Sequence, residues 1–323
     1  MRTATELAAR LREGLARVIV GNEESSFALL VAALAGGHVL LEGAPGTAKT
    51  LFVRTMARLL SVGFARIQFT PDLMPSDIVG TNVFSPKSGE FTLRHGPIFA
   101  NFVLADEVNR TPPKTQSALL EAMEEGRVTI DGESHSLPSP FMIFATQNPI
   151  EFEGTYPLPE AQRDRFLVRA LTGYPNRDEE LALLKRAGEG FDSSDLSTAG
   201  IEPVANSVDL LRARADVQKV RIAQSVREYL YTIVASTRDT PSIELGASPR
   251  AAIALLRASQ ASAVIADRDF VTPDDVKAVA TCVLAHRLIL EPEAELEGVT
   301  TESATENIVA DIPVPKEAAI SEG

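Results

Sequence analysis

Cysteine is nearly missing from this chain. One residue among 323, Cys282, rules out an intrachain disulfide and any cysteine-built metal centre, and it suits a reducing compartment. Positive charge is also short: 31 Lys and Arg stand against 44 Asp and Glu, a net of −13. That balance argues against sequence-independent binding to nucleic acid, which needs a basic surface, although it leaves room for a local basic pore. Long apolar runs are lacking too. The longest, residues 27–41, is broken by Gly36-Gly37-His38 and is too short to span a bilayer. The chain start interleaves Arg2, Glu6, Arg10, Arg12 and Glu13 with Leu7, Leu11, Leu15 and Val18, an amphipathic helix rather than the apolar core of a signal peptide. The expectation is a cytoplasmic protein with no direct membrane insertion. The four histidines (His38, His95, His135, His286) have no ligand spacing and read as structural, and no internal repeat is present. The length allows two domains and a large core.

What is present centres on residues 38–55. A short apolar run, Val39-Leu40-Leu41, leads into Gly43-Ala44-Pro45-Gly46-Thr47-Ala48-Lys49-Thr50 and then a helical pattern. Strand, glycine-rich turn and helix start form the arrangement that cradles nucleotide phosphates on backbone N–H groups and a helix dipole. Lys49 is expected at the β- and γ-phosphates, and the Thr50 hydroxyl on Mg²⁺. Ala48 stands where a glycine is usual. Placed at the helix start, it is expected to have negative φ and to tolerate a Cβ, whereas Gly46 in the turn proper needs glycine's freedom. Just upstream, residues 18–20 either pack on the adenine or belong to the core.

Farther on, 65–69 reads as a strand, followed by a loop with a short helix. Two alternating stretches around Pro86-Lys87-Ser88-Gly89 then signal a hairpin inserted into the strand–helix rhythm. Phe102-Val103-Leu104-Ala105 is a buried strand ending in Asp106-Glu107. About sixty residues after such a turn, Asp106 is expected to hold Mg²⁺ through water and Glu107 to polarise the attacking water. Thr111-Pro112-Pro113 opens a helix, with Thr111 as N-cap. A second hairpin flanks Gly132, and strand 141–145 ends in Thr146-Gln147-Asn148-Pro149. Asn148 is suited to orienting the water or touching the γ-phosphate, or to forming the turn before Pro149. Arg163 and Arg165 precede strand 167–171. Either one reaches a neighbouring subunit's nucleotide or it forms an intramolecular salt bridge.

From Tyr174 onward the pattern is helical. Asn176 and Glu179 make an N-capping box, and further helices are expected at about 208–215, 225–237, 249–266 and 273–290. Arg250, in the first turn of its helix, opposes the macrodipole, so it answers an anion: a phosphate or a nearby carboxylate. The acidic tail is either a helix plus an extended strand on the helical part, or partly disordered.

Together these segments resemble the AAA+ ATPases and, within them, the MoxR family. The matching motifs are the phosphate loop, Leu104-Ala105-Asp106-Glu107-Val108-Asn109-Arg110, Pro112-Pro113-Lys114-Thr115-Gln116, Ala145-Thr146-Gln147-Asn148-Pro149, Asp164-Arg165-Phe166 and Gly246-Ala247-Ser248-Pro249-Arg250. Alanine before the loop lysine is common in that family. Arg163 departs from it, since an apolar residue is more usual there. The resemblance implies an α/β fold: a core (1–174) with a parallel five-stranded sheet between helices and with helix-2 and pre-sensor-1 hairpin insertions, an all-helical lid (175–290) and an acidic tail (291–323). It makes Asn148 sensor 1, Arg165 the arginine finger and Arg250 sensor 2. Within one chain the ATP and Mg²⁺ site is then built from 43–50, Asp106, Glu107, Asn148 and Arg250, and Arg165 of the next subunit completes it. The resemblance further implies a homo-oligomeric ring, usually a hexamer. Its function there is ATP hydrolysis driving chaperone-like remodelling, maturation or metal-cofactor loading of a client protein, often with a von Willebrand factor A-domain partner. A DNA-directed motor and a magnesium-chelatase-like subunit are the alternatives.

Overall fold

The computed structural model describes residues 2–87, 89–148 and 156–315. Ser88 of the first hairpin turn, Pro149 and the end of the tail at 316–323 lie outside them. Helices α1 (Arg2–Val18) and α2 (Glu23–Ala35) lead to β1 (His38–Gly43), α3 (Lys49–Leu59), β2 (Phe64–Gln68) and the short α4 (Pro75–Val79). The first hairpin is β3 (Gly80–Ser85) with β4 (Glu90–His95), followed by β5 (Phe102–Asp106) and α5 (Pro113–Glu125). The second hairpin is β6 (Arg127–Ile130) with β7 (Glu133–Ser136); then come β8 (Met142–Gln147), α6 (Glu160–Arg163) and β9 (Phe166–Thr172). The remainder is α7 (Arg177–Gly188), α8 (Ser207–Val217), α9 (Gln224–Asp239), β10 (Ile243–Leu245), α10 (Pro249–Ile265), α11 (Pro273–Leu284), β11 (Ile289–Leu290), α12 (Pro292–Leu296) and α13 (Thr301–Asp311).

The five-stranded sheet has the order β2-β5-β8-β1-β9, and its neighbours pair in parallel. Strands covered on both faces are mostly apolar, and β5 is buried at every position, with Asp106 its one charged residue at the carboxyl end. Alternation then deals side chains to two cores. Leu40, Val103, Ala105, Ile143 and Ala145 face the layer of α5 and the hairpins. Val39, Leu41, Phe102, Leu104 and Phe144 face a larger cluster that runs on through α1, α2 and α3 into the helical part. In that part α10 packs on α2, and α11 packs on both α10 and β9.

Two local expectations change, and one of the two readings of the tail is decided. The helix expected over 273–290 stops at Leu284, and Ile289–Leu290 instead pairs with Ile243–Leu245 in a short antiparallel ribbon on the helical lid. Thr111 is not the cap of α5. Its hydroxyl bonds back to the carbonyl of Val108, and Pro112 occupies the N-cap position with Pro113 at the first helical one. In the tail, α13 docks against α9 and α11. The capping box at Asn176 and Glu179 is formed as expected, with the Asn176 side chain accepting from the N–H groups of Asp178 and Glu179.

Candidate active site

Gly43 ends β1, Asp106 ends β5 and Gln147 ends β8. The parallel register sets them side by side at the carboxyl edge of the sheet, where α/β folds hold their ligands. A cavity of about 730 Å³ opens there, bounded by the loop from Pro45 to Thr50 with Asp106, Glu107 and Asn148. Leu183 and Ala187 of α7 and Phe191 beyond it make an apolar wall. The loop after α7 is tied down by Arg54, whose guanidinium donates to the carbonyls of Ser193 (3.3 Å) and Ser194 (2.7 Å). Of the two readings for residues 18–20, Val18 and Ile19 are buried in the core cluster, and the apolar wall comes from α7 instead.

The loop's conformation corrects one expectation. Gly46 has φ +81°, as a turn of this kind requires, and open space where a Cβ would be. Ala48, however, also lies in the left-handed region, at φ +61°, rather than in the helical conformation expected of a helix start. It is the N-cap, and the backbone turns left-handed there a second time, two residues after Gly46. Thr47 is buried: its hydroxyl donates to the carbonyl of Ala44 (2.8 Å) and meets the Thr172 hydroxyl (2.8 Å), fixing the loop to the end of β9. Lys49 folds its ammonium onto the carbonyls of Gly43 (2.6 Å) and Ala44 (2.9 Å). Partial burial draws its pKa down, opposed by the charges of Asp106 and Glu107.

The acidic pair is held by residues that sequence reasoning did not single out. Asp106 accepts from Arg66 on β2 (3.0 and 2.5 Å) and from the Thr146 hydroxyl (2.5 Å). The same Thr146 oxygen accepts the Glu107 backbone N–H at 2.8 Å. Glu107 is left-handed at φ +58°, and its carboxylate accepts from Gln68 (2.8 Å) and Arg110 (2.9 Å). The signal for Arg66 and Gln68 was their alternation with Ile67 on a strand in register with β5; Thr146 precedes Asn148 by two residues. Asn148 is buried and lines the cavity. The Thr50 hydroxyl and the Asp106 carboxylate border the same space, an oxygen donor set that suits a hard divalent cation such as Mg²⁺.

The two arginines are elsewhere. Arg165 immediately precedes β9, and Arg250 lies in the first turn of α10; both bond to Glu124 near the end of α5, at 2.8 Å each. They border a separate cleft with Gly37 and His38, at the amino edge of the sheet. One strand length, about 16 Å, separates that edge from the phosphate loop. The placement of Arg250 in its own chain's nucleotide site is therefore corrected: α10 begins at the wrong edge of the sheet. The anion it answers here is a carboxylate. Arg163 lies 4.0 Å from Glu160, one helical turn back.

Comparison with known proteins agrees with this architecture. Residues 38–168 match the family model for ATPases associated with various cellular activities (AAA), and residues 235–308 match that for the AAA lid domain. The uncharacterized protein YeaC of Bacillus subtilis is 49% identical over 303 residues, covering 94% of this chain and 93% of that one. The chaperone MoxR1 of Mycobacterium tuberculosis is 42% identical over 309 residues, 93% of this chain and 80% of its own. A crystal structure from Cytophaga hutchinsonii, of a protein assigned as an ATPase, superposes with a TM-score of 0.87 at 41% identity over 98% of both chains. Among the described residues, no helix is long and apolar enough to cross a membrane.

Proposed function

The chain belongs to the MoxR family of AAA+ ATPases and is an ATP hydrolase, and from that premise we propose that it hydrolyses ATP only at the junction between two copies of itself. The observation that carries this reading is the position of Arg165 and Arg250: together, at the sheet edge opposite the phosphate loop. A head-to-tail neighbour brings that edge to the loop, and repetition of such a contact closes a ring. The family resemblance supports six subunits in that ring.

In this reading Lys49 leaves the loop carbonyls for the β- and γ-phosphates, and the backbone from Gly43 to Thr50 cradles them. Thr50 and Asp106 would hold Mg²⁺, which would supply neutralising charge for the phosphates. Glu107 takes the proton of a water that Asn148 helps to orient, as the new P–O bond forms and the bond to the ADP oxygen breaks. The neighbour's Arg165, with Arg250 beside it, answers the charge on the transferring phosphoryl group. Arg165→Ala is expected to keep nucleotide binding and to lose about 10³-fold or more in turnover. A variant hydrolysing at the wild-type rate would remove Arg165 from the site.

The work done with this energy is remodelling of a client protein, with a von Willebrand factor A-domain protein as partner. Relatedness to a protein named a chaperone supports the remodelling of a client, and the A-domain partner rests on the family resemblance. The acidic balance argues against the DNA-directed alternative. Affinity capture on Glu107→Gln held with ATP is expected to recover an A-domain protein; replication factors in its place would reverse the assignment.

A further inference from the structure

The contact that holds Arg165 and Arg250 has a form of its own. Glu124 gives one carboxylate oxygen to each: Oε1 accepts a hydrogen bond from Arg250 Nη2 and Oε2 forms an ion pair with Arg165 Nη2, both at 2.8 Å. Two guanidiniums with ten N–H donors between them share one carboxylate, so the cluster carries a net positive charge and an excess of donors. Arg165 Nη1 reaches the Leu120 carbonyl at 3.2 Å, while its buried Nε has no hydrogen-bond partner among the described residues.

The backbones beneath these side chains are fixed by a second carboxylate. Asp164 accepts from the hydroxyl of Ser248, the N-cap of α10, and from the buried Arg287, at 2.9 Å each. The Ser248 bond couples the residue before Arg165 to the helix start that bears Arg250, and the Arg287 bond ties the same residue to the turn after α11. The arginine stems therefore stand on a rigid mount. Apart from the Arg165 bond to the Leu120 carbonyl, their tips are tied to Glu124, a side chain that is nearly half exposed, where ion pairs are weak and exchange readily. A terminal phosphate offers three oxygens and more charge than one carboxylate, and guanidinium forks favour it.

We propose that Glu124 is a positioning residue that takes the place of a neighbouring subunit's phosphate, holding Arg165 and Arg250 side by side in the free protomer and releasing both when two subunits close over a nucleotide. This rests on the reading that the arginines act across the interface. Glu124 then opposes assembly slightly, and it keeps the arginines from collecting other anions before a neighbour arrives.

The test is turnover per subunit against protein concentration in saturating MgATP, for wild type, Glu124→Gln, Glu124→Asp and Arg165→Ala, with thermal melting of each and ATP affinity measured at high dilution. Weakening two exposed ion pairs lowers the concentration giving half-maximal turnover by about two- to tenfold in Glu124→Gln. Glu124→Asp, which keeps the charge but cannot span both arginines, shifts it the same way by less. ATP affinity of the dilute protomer stays as it was, because Glu124 lies at the other edge of the sheet. A purely structural role would instead lower the melting temperature and leave the concentration midpoint alone. Midpoints unchanged or raised in the two Glu124 variants overturn the proposal. If Arg165→Ala hydrolyses like wild type, the interface reading itself fails. If it is inactive while the Glu124 midpoints do not move, only the role given to Glu124 is wrong.

Discussion

Thr146→Val isolates the group that aligns the acidic pair. Valine keeps the shape of threonine, and position 146 is almost fully buried, so the change removes one hydroxyl and little else. That hydroxyl donates to Asp106 at 2.5 Å and accepts the Glu107 N–H at 2.8 Å. A hydrogen bond to a charged group is worth about 1.5–3 kcal/mol, and leaving an N–H without a partner costs about 1–3 kcal/mol. Burying a methyl in place of the hydroxyl returns about 1 kcal/mol, for a net loss of about 1.5–5 kcal/mol. At about 2.1 cal/mol/K per residue, unfolding 323 residues carries about 0.7 kcal/mol/K, so the melting temperature falls by about 2–7 °C. The consequence for activity runs through Glu107, whose left-handed backbone at φ +58° costs about 1–2 kcal/mol and is held in part by that bond. Once freed, the carboxylate loses its aim, and turnover is expected to drop about 10- to 100-fold with nucleotide affinity little changed. Calorimetry and a steady-state ATPase assay read the two effects, and Thr146→Ser, which restores the hydroxyl, recovers most of both. A valine variant that melts and turns over like wild type refutes the assignment of Thr146 as the element aligning the acidic pair.

Two further outcomes follow from the same geometry. Ala48→Gly relieves a left-handed alanine and is expected to stabilise the protein by about 1 kcal/mol with nucleotide binding retained; a lower melting temperature would contradict the φ of +61°. Burial pushes the His38 imidazole down to about 4, and its hydrogen bonds fix the neutral form: Nε2–H donates to the Met123 carbonyl and Nδ1 accepts from Ile143 N–H. The unfolded chain, with a histidine pKa near 6.5, binds a proton that the folded one refuses. The stability from neutral His38 is thus complete above about pH 6.5 and is lost as pH falls toward 4, by at most about 3 kcal/mol. Melting at pH 7 and pH 5 reads it, and His38→Gln should reduce the difference, leaving the share of His286, whose imidazole is also pushed down by burial.

The phosphate loop and the Asp106-Glu107 strand end were legible because each packs its chemistry into adjacent residues. Apolar runs of four or five, too short for helices and bounded by turn residues, were enough to place the central strands. What stayed hidden depends on contacts between distant segments. Arg66 and Thr146 matter because the parallel register brings them to Asp106. The place of Arg250 depends on which end of α10 docks at which edge of the sheet, which helical periodicity leaves open: the periodicity is the same along the helix. The backbone of Ala48 follows the path of the loop rather than the propensity of the helix it precedes. The ribbon of β10 and β11 joins segments more than forty residues apart, each too short to announce itself by alternation.

The claim that one site needs two chains is tested most directly by mixing two variants that are each inactive. Lys49→Ala cannot hold the phosphates but still carries Arg165; Arg165→Ala holds them but offers no arginine to a neighbour. Titrating one into the other is expected to restore hydrolysis, with a maximum near equal amounts, as intact junctions form between unlike subunits. A mixture that stays inactive at every ratio while co-assembling contradicts the shared site.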